Sequence, residues 1–231
     1  MSEVGAFGRH VVVSSIERAG AGEVARLGAA GAATVHEAIG RRGYLGASIR
    51  ARCPGGRSGG TAVTVLCHPG DNLMVHAAVE QCRAGDVLVV AHTAPSTHGL
   101  FGELLATSLA ARGVLGLVTD AGVRDTAELR EMGFPVWSAH VSCQGTVKAT
   151  PGSVNVPVAI GGVTIVPGDA VVADDDGVVV VPRAEAAWAV QQAEARLANE
   201  GGKRARLAAG ELGLDMYDLR SLLERLGVTY E

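Results

Sequence analysis

Two carboxylates and a guanidinium stand at the starts of two successive helical patterns: Glu103 in Gly102-Glu-Leu-Leu105, and the pair Arg124-Asp125. An apolar run from Asp86 to Ala91 leads into a loop of Thr, Pro, Ser and Gly. A helical pattern then runs from Leu104 to Arg112 and closes at Gly113. A second apolar run, Val114 to Thr119, ends in Asp120-Ala-Gly122, and Arg124-Asp125 opens the next helix. The order reads as strand, helix, parallel strand, helix. A helix climbs ~1.5 Å per residue and the following strand returns at ~3.3 Å per residue. Glu103 and Arg124-Asp125 are therefore expected to meet at the carboxyl edge of the sheet, where open α/β folds place their ligands. Acidic groups there can hold a divalent cation, and Arg124 can grip a carboxylate or an enolate oxygen. The backbone N–H groups at the helix start beside Gly102 can take a carboxylate as well.

Each of these residues also has a plainer reading. Arg124-Asp125 can be a helix start with a salt bridge, Asp125 being favourable near the positive end of the helix dipole. Glu103 suits any first helical turn. Thr34-Val-His-Glu37 fits a capping box, which predicts Thr34 as an N-cap and Glu37 as its reciprocal partner. Glu200 sits in a charged helical stretch and reads as solvated. Asp174-Asp-Asp-Gly177 lacks the ligand spacing of a calcium hand and reads as a tight turn between strands. The 7 histidines form no H-x-x-x-H pair, which disfavours a His-rich zinc site. His98 reads as a loop residue before Gly102. Lys148, in Gly145-Thr-Val-Lys148, could form a Schiff base, but its neighbours show no apolar pocket to lower its pKa. Gly55-Gly-Arg-Ser-Gly-Gly60 matches no phosphate-loop pattern.

Around this unit the chain reads as one α/β domain over residues 1–183 with a helical arm over 184–231. Two short helices separated near Gly31 occupy residues 22–40. A strand follows at Thr61 to Leu66, then a helix over 71–83 capped by Asp71, and another strand at Val136 to Val141. Residues 154–181 read as hairpins, from β-branched runs broken by Gly161-Gly162, Pro167-Gly168-Asp169 and Asp174 to Gly177. Ala184 to Arg206 is helical and interrupted at Gly201-Gly202, and a last amphipathic segment runs from Met216 to Leu226. Aromatic residues are 3% of the chain and the net charge is -4, which disfavours nucleic acid as a partner. No apolar run approaches a membrane span. Met1 to Ser15 lacks the layout of a signal peptide, and Cys53, Cys67, Cys82 and Cys143 suggest no disulfide framework, so a reducing cytoplasm is the expected setting.

The motifs together resemble the 4-hydroxy-4-methyl-2-oxoglutarate / 4-carboxy-4-hydroxy-2-oxoadipate aldolases, which share a fold with the regulator of ribonuclease activity A. The resemblance covers nearly the whole chain. It rests on Ala33-Thr-Val-His-Glu-Ala38, Gly60-Thr-Ala-Val-Thr64, Pro69-Gly-Asp-Asn72, Gly102-Glu-Leu-Leu105, Asp120-Ala-Gly-Val-Arg-Asp125, Gly145-Thr-Val-Lys148, Pro167 to Gly177, and Leu207 to Tyr217. The family signature is Asp, twenty residues, then Arg-Asp; the spacing from Glu103 to Arg124 fits it, with Glu in the first position.

The resemblance implies a swivelling β/β/α fold assembled as trimers or hexamers with sites between subunits. It implies a class II pyruvate aldolase that uses Mg²⁺ or Mn²⁺ on a small 2-oxo acid, late in the breakdown of aromatic compounds, with oxaloacetate decarboxylation as a second activity. By position, Asp125 would ligate the metal. Glu103, and Glu200 from a neighbouring subunit's arm, would hold waters around it. Arg124 would contact the C2 oxygen, the backbone N–H groups of Leu104 and Leu105 the carboxylate, and Glu37 from a neighbour would assist proton transfer. The alternatives are a regulator that inhibits ribonuclease E without chemistry of its own, and a related lyase or decarboxylase for another 2-oxo acid. No Gly-rich adenosylmethionine loop follows the first strand, so a methyltransferase fits badly.

Overall fold

Strands buried on both faces need uninterrupted apolar residues, and the Val-, Ala- and Leu-rich runs of this chain supply them. The computed structural model describes residues 10–231, so the reading of Met1 to Ser15 lies largely outside the described residues. The contacts divide the chain into two compact units, Met1–Ala193 and Glu194–Glu231.

The first unit begins with helices α1 (Ala21–Ala30) and α2 (Ala32–Ala38). It continues through β1 (Arg50–Ala51), β2 (Ser58–Cys67), α3 (Leu73–Val79), β3 (Asp86–His92), β4 (Gly99–Phe101), α4 (Glu103–Ala110), β5 (Leu117–Val123), α5 (Thr126–Glu131) and β6 (Val136–Val141). Then come β7 (Ser153–Val154), the hairpin β8 (Val158–Ile160) and β9 (Val163–Ile165), and the hairpin β10 (Ala170–Asp174) and β11 (Gly177–Val181). Helix α6 (Ala186–Ala208) runs across the boundary between the units.

The main sheet has the order β1-β6-β5-β3-β2-β10-β11, with β4 on β5 and β7 on β2. Its centre, β2, β3, β5 and β6, is parallel, and β1, β10 and β11 are antiparallel at the edges. The sheet curls: Trp137 on β6 donates its indole N–H to the Asp174 carbonyl at the end of β10, 2.8 Å away, although three strands separate β6 from β10 in the order. The two-residue period of the strands divides the core. Val63, Val65, Leu88, Val90 and Leu117 face helices α3 to α5. Their neighbours Ala62, Val87, Val89 and Val118 pack with Trp137 and with Ile160 and Ile165 of the small hairpin. A third cluster joins α1, α2 and the first turns of α6 to β10 and β11. The α/β class, the parallel unit at Asp86 to Asp125 and both hairpins agree with the sequence reading.

Four local expectations change. Helix α3 spans only Leu73–Val79 and its N-cap is Asn72. The Asp71 carboxylate bonds to Leu73 N at 2.8 Å and across the fold to Ala149 N and Thr150 N at 2.8 and 2.7 Å. The capping box does not form. Gly31, at φ 87°, starts α2 early, so Thr34 lies inside the helix and Glu37 pairs with Arg41 one turn on, at 2.9 Å. Gly201-Gly202 does not interrupt α6, since a glycine costs a helix only about 1 kcal/mol relative to alanine. The last segment is two short helices, α7 (Gly213–Met216) and α8 (Leu219–Arg225). None of the residues from Glu194 onward is buried, and Leu212, Tyr217, Leu226 and Tyr230 are at least half exposed.

Candidate active site

Strand β4 lies parallel on the end of β5, with Gly99 beside Gly122 and Phe101 beside Val123. That pairing brings the start of α4 against the corner between β5 and α5. Arg124 N bonds to Phe101 O at 2.9 Å, and the next residue, Asp125, turns the chain in the left-handed region at φ 53°. Asp is among the few side chains that tolerate this conformation, and such strain clusters at functional sites. The turn aims the Asp125 carboxylate at α4, where Oδ2 accepts from Glu103 N at 3.1 Å. The helix ladder begins with Ala106 N donating to Gly102 O at 3.1 Å. Between these two bonds, the N–H groups of Leu104 and Leu105 are the donors left at the helix start. The Arg124 Nε lies 3.5 Å from Asp125 Oδ2, with 47% of the Arg124 side chain exposed.

Gly102 is required by this closeness. A Cβ there would sit 2.2 Å from Asp125 Oδ2. Its backbone is extended, at φ -156°, so the obstacle is contact and not conformation. Gly102→Ala is therefore expected to displace the Asp125 carboxylate from the Glu103 N–H. Activity should fall at least about tenfold, because misplacement of a catalytic group by ~1 Å can cost up to ~10²-fold. The unfolding midpoint should stay close to wild type. Paired turnover and denaturation measurements check this; unchanged turnover would show that the carboxylate's position does not matter.

These groups form one wall of a cleft of about 120 Å³. The cleft is also lined by Asn72, the N-cap of α3, by His76 one turn on, and by Thr146 and Lys148 from the loop after β6. That loop is clamped to the start of α3. Asn72 N donates to Val147 O and Val147 N to Gly70 O, both at 3.0 Å, and Asp71 holds Ala149 and Thr150. Burial pushes the Asp71 carboxyl upward, but the N–H groups of Leu73, Ala149 and Thr150 outweigh it and hold the group below its ordinary value. Burial, then the charge of Lys148, pushes His76 below the ordinary imidazole value. Asn72, His76 and Thr146 were not singled out in the sequence. Asn72 and Thr146 lie within the motifs Pro69-Gly-Asp-Asn72 and Gly145-Thr-Val-Lys148, and the signal for His76 was its one-turn spacing from Asn72.

The other sequence candidates lie elsewhere. The Glu103 side chain accepts from Thr107 Oγ1 at 2.9 Å, one turn along its own helix; the extra methylene of Glu over Asp permits that reach. Glu103 and His98 are not among the cleft's lining residues. Glu37 is on α2, which packs on β10 and β11 at the other end of the sheet order from β5. Glu200 lies in the second unit and pairs with Arg196 at 2.8 Å.

Among the described residues, no group of three or more His, Cys, Asp or Glu side chains gathers to hold a metal. Mg²⁺ keeps several waters and binds through one or two carboxylates plus substrate oxygens. Asp125, at the cleft with Arg124 beside it, is an all-oxygen donor of the kind that suits Mg²⁺ or Mn²⁺. The residues present therefore fit such an ion through Asp125. The wall as a whole can bind an anion, polarise an oxygen next to it and stabilise negative charge developing there.

A protein of Halalkalibacterium halodurans named "Putative 4-hydroxy-4-methyl-2-oxoglutarate aldolase" is 30% identical over 158 residues, 68% of this chain and 75% of the relative. The crystal structure of Streptomyces coelicolor RraAS2, described as an unusual member of the RNase ES inhibitor RraA protein family, is 33% identical at a TM-score of 0.73. The match covers 82% of this chain and 100% of that one. An uncharacterized protein from Pseudomonas syringae pv. tomato is 27% identical at a TM-score of 0.74, covering 85% and 97%. No helix among the described residues is long and apolar enough to cross a membrane. With residues 32–180 matching the family model described as RraA-like, Aldolase/RraA, the chain belongs to that family.

Proposed function

We propose that this protein is a class II pyruvate aldolase that cleaves 4-hydroxy-4-methyl-2-oxoglutarate to two pyruvates and 4-carboxy-4-hydroxy-2-oxoadipate to pyruvate and oxaloacetate. Oxaloacetate decarboxylation is its second activity. The observation that carries the reading is the convergence, on one wall of the cleft, of the Asp125 carboxylate, the Arg124 guanidinium and the N–H groups of Leu104 and Leu105. The name of the Halalkalibacterium relative supports the same substrate.

Asp125 would hold Mg²⁺ or Mn²⁺, with Glu103 and Glu200 of a neighbouring subunit as further carboxylates, and the ion would supply Lewis-acid stabilisation of the substrate's C2 oxygen. The chain's own groups do the rest. Leu104 N and Leu105 N hold the C1 carboxylate, which fixes the 2-oxo acid end at the helix start. Arg124 donates to the C2 oxygen. The C4 hydroxyl passes its proton to water as C4 becomes a carbonyl and the C3–C4 bond breaks. Its electron pair moves between C3 and C2, and negative charge settles on the oxygen that Arg124 faces. C3 then takes a proton through water positioned by the partner subunit's Glu37. Loss of CO₂ from oxaloacetate leaves the same enolate, so one site serves both reactions.

The assembly we propose is a homotrimer or homohexamer with sites shared between subunits. The exposed apolar residues of the arm, Leu212, Tyr217 and Leu226 among them, are surface that a second copy would cover. Four unpaired cysteines, three of them buried, fit a cytoplasmic setting.

The test is pyruvate release from a panel of 4-hydroxy-2-oxo acids and from oxaloacetate, with added Mg²⁺ or Mn²⁺ and with excess chelator. Metal-dependent release from both kinds of substrate is expected. Full activity in chelator, or borohydride trapping of substrate on Lys148, would point to a Schiff-base enzyme instead. No release from any substrate, with inhibition of ribonuclease E, would make the protein a regulator.

A further inference from the structure

Among the residues that line the cleft with Arg124 is a buried acceptor with no protein donor. Asn72 is 7% exposed. Its backbone N–H is spent on Val147 O, and its side-chain NH₂ donates to Leu100 O at 2.9 Å. That carbonyl decides the orientation of the amide, because a flipped amide would set two oxygens against each other. Oδ1 is the remaining polar atom of the side chain, and it is buried without a hydrogen-bond partner. Buried polar groups are rarely left this way, and those that are call for an explanation.

The rest of the cleft shows what kind of group could answer it. Arg124 and Lys148 carry donors only, as do the N–H groups of Leu104 and Leu105. They match the carboxylates and the carbonyl oxygen of a 2-oxo diacid. None of those substrate groups, once ionised, can donate to Asn72. A 4-hydroxy-2-oxo diacid has one donor, its hydroxyl.

We infer that Asn72 is a specificity-determining residue whose Oδ1 accepts the hydrogen bond of the substrate's C4 hydroxyl, while Lys148, which lines the same cleft, takes the second carboxylate. The inference rests on the aldolase reading and adds to it the selection of a hydroxylated substrate over its deoxy counterpart. A site built to hydrogen-bond a substrate hydroxyl rejects the analogue that lacks it, since the buried partner is then left unpaired.

The probes are 4-hydroxy-2-oxoglutarate and 2-oxoglutarate, which differ only in that hydroxyl, each measured as a competitor of oxaloacetate decarboxylation. In the wild type the hydroxylated acid should compete at a concentration at least about tenfold lower. In Asn72→Ala the ratio of the two constants should fall to about twofold or less, whatever the change in either constant. Equal competition in the wild type, or a ratio that survives in Asn72→Ala, would overturn the inference. If the variant does not fold, the wild-type ratio alone decides. If the wild type decarboxylates nothing, the aldolase reading has failed. Calorimetric titration of the two acids in Mg²⁺, free of turnover, then still measures the ratio and tests the hydroxyl contact on its own.

Discussion

Asp125→Asn is expected to lower kcat/KM for pyruvate release by about 10³-fold at a fixed Mg²⁺ concentration, with the unfolding midpoint little changed. Asn keeps the shape of the side chain, tolerates the left-handed backbone at φ 53°, and can still accept from Glu103 N. It lacks the negative charge through which Asp125 is proposed to hold a divalent cation. Lewis-acid stabilisation of the developing oxyanion is worth several kcal/mol, and about 1.36 kcal/mol corresponds to each tenfold in rate. Asp125→Ala should lose at least as much activity, together with the tie to Glu103 N and with added backbone strain. The measurement is turnover against Mg²⁺ concentration for both variants, with a denaturation curve for each. Near wild-type turnover at low metal would remove Asp125 from the ligand set.

The second large effect is at Arg124. Arg124→Lys keeps a positive charge but loses the planar fork that can donate to two oxygens at once. The rate constant kcat should fall by about 10²-fold, the scale seen when one oxyanion donor is removed, and Arg124→Ala should fall further. On the proposed mechanism the guanidinium donates to the oxygen on which charge develops, so the loss should appear in kcat and in kcat/KM together. A change confined to KM would show that Arg124 binds ground state and transition state equally, and the assignment to the enolate would fail. Neither variant should unfold the protein, since the Arg124 side chain is half exposed and packs in none of the three cores.

The sequence by itself determined the elements whose signals are local. The apolar runs at Asp86 to Ala91 and Val114 to Thr119, with glycines between, predict two parallel strands, and the structure pairs Leu88 with Leu117 and Val90 with Thr119. The meeting of Glu103 with Arg124-Asp125 followed from strand and helix rise alone. The backbone meets as expected, Glu103 N donating to Asp125 Oδ2, while the Glu103 carboxylate turns to Thr107 and does not line the cleft. Both hairpins were legible for the same reason, since their turns lie within a few residues of the strands they join.

Tertiary structure decided the rest, because the deciding contacts join residues far apart in the chain. Asp71 has the chemistry of an N-cap, yet its second oxygen is claimed by Ala149 and Thr150, and the cap passes to Asn72. The same clamp carries Thr146 and Lys148 to the cleft that Arg124 also lines. Thr34 has the spacing of a capping box, but α2 starts at Ala32, whose N–H donates to the Asp174 carboxylate at 2.9 Å from across the fold. In each case a local pattern offered one partner to a polar group, and folding supplied a competing one at hydrogen-bonding distance. A polar side chain bonds where donor and acceptor meet with the solvent excluded, and only the packed sheet and its crossing loop bring those groups together.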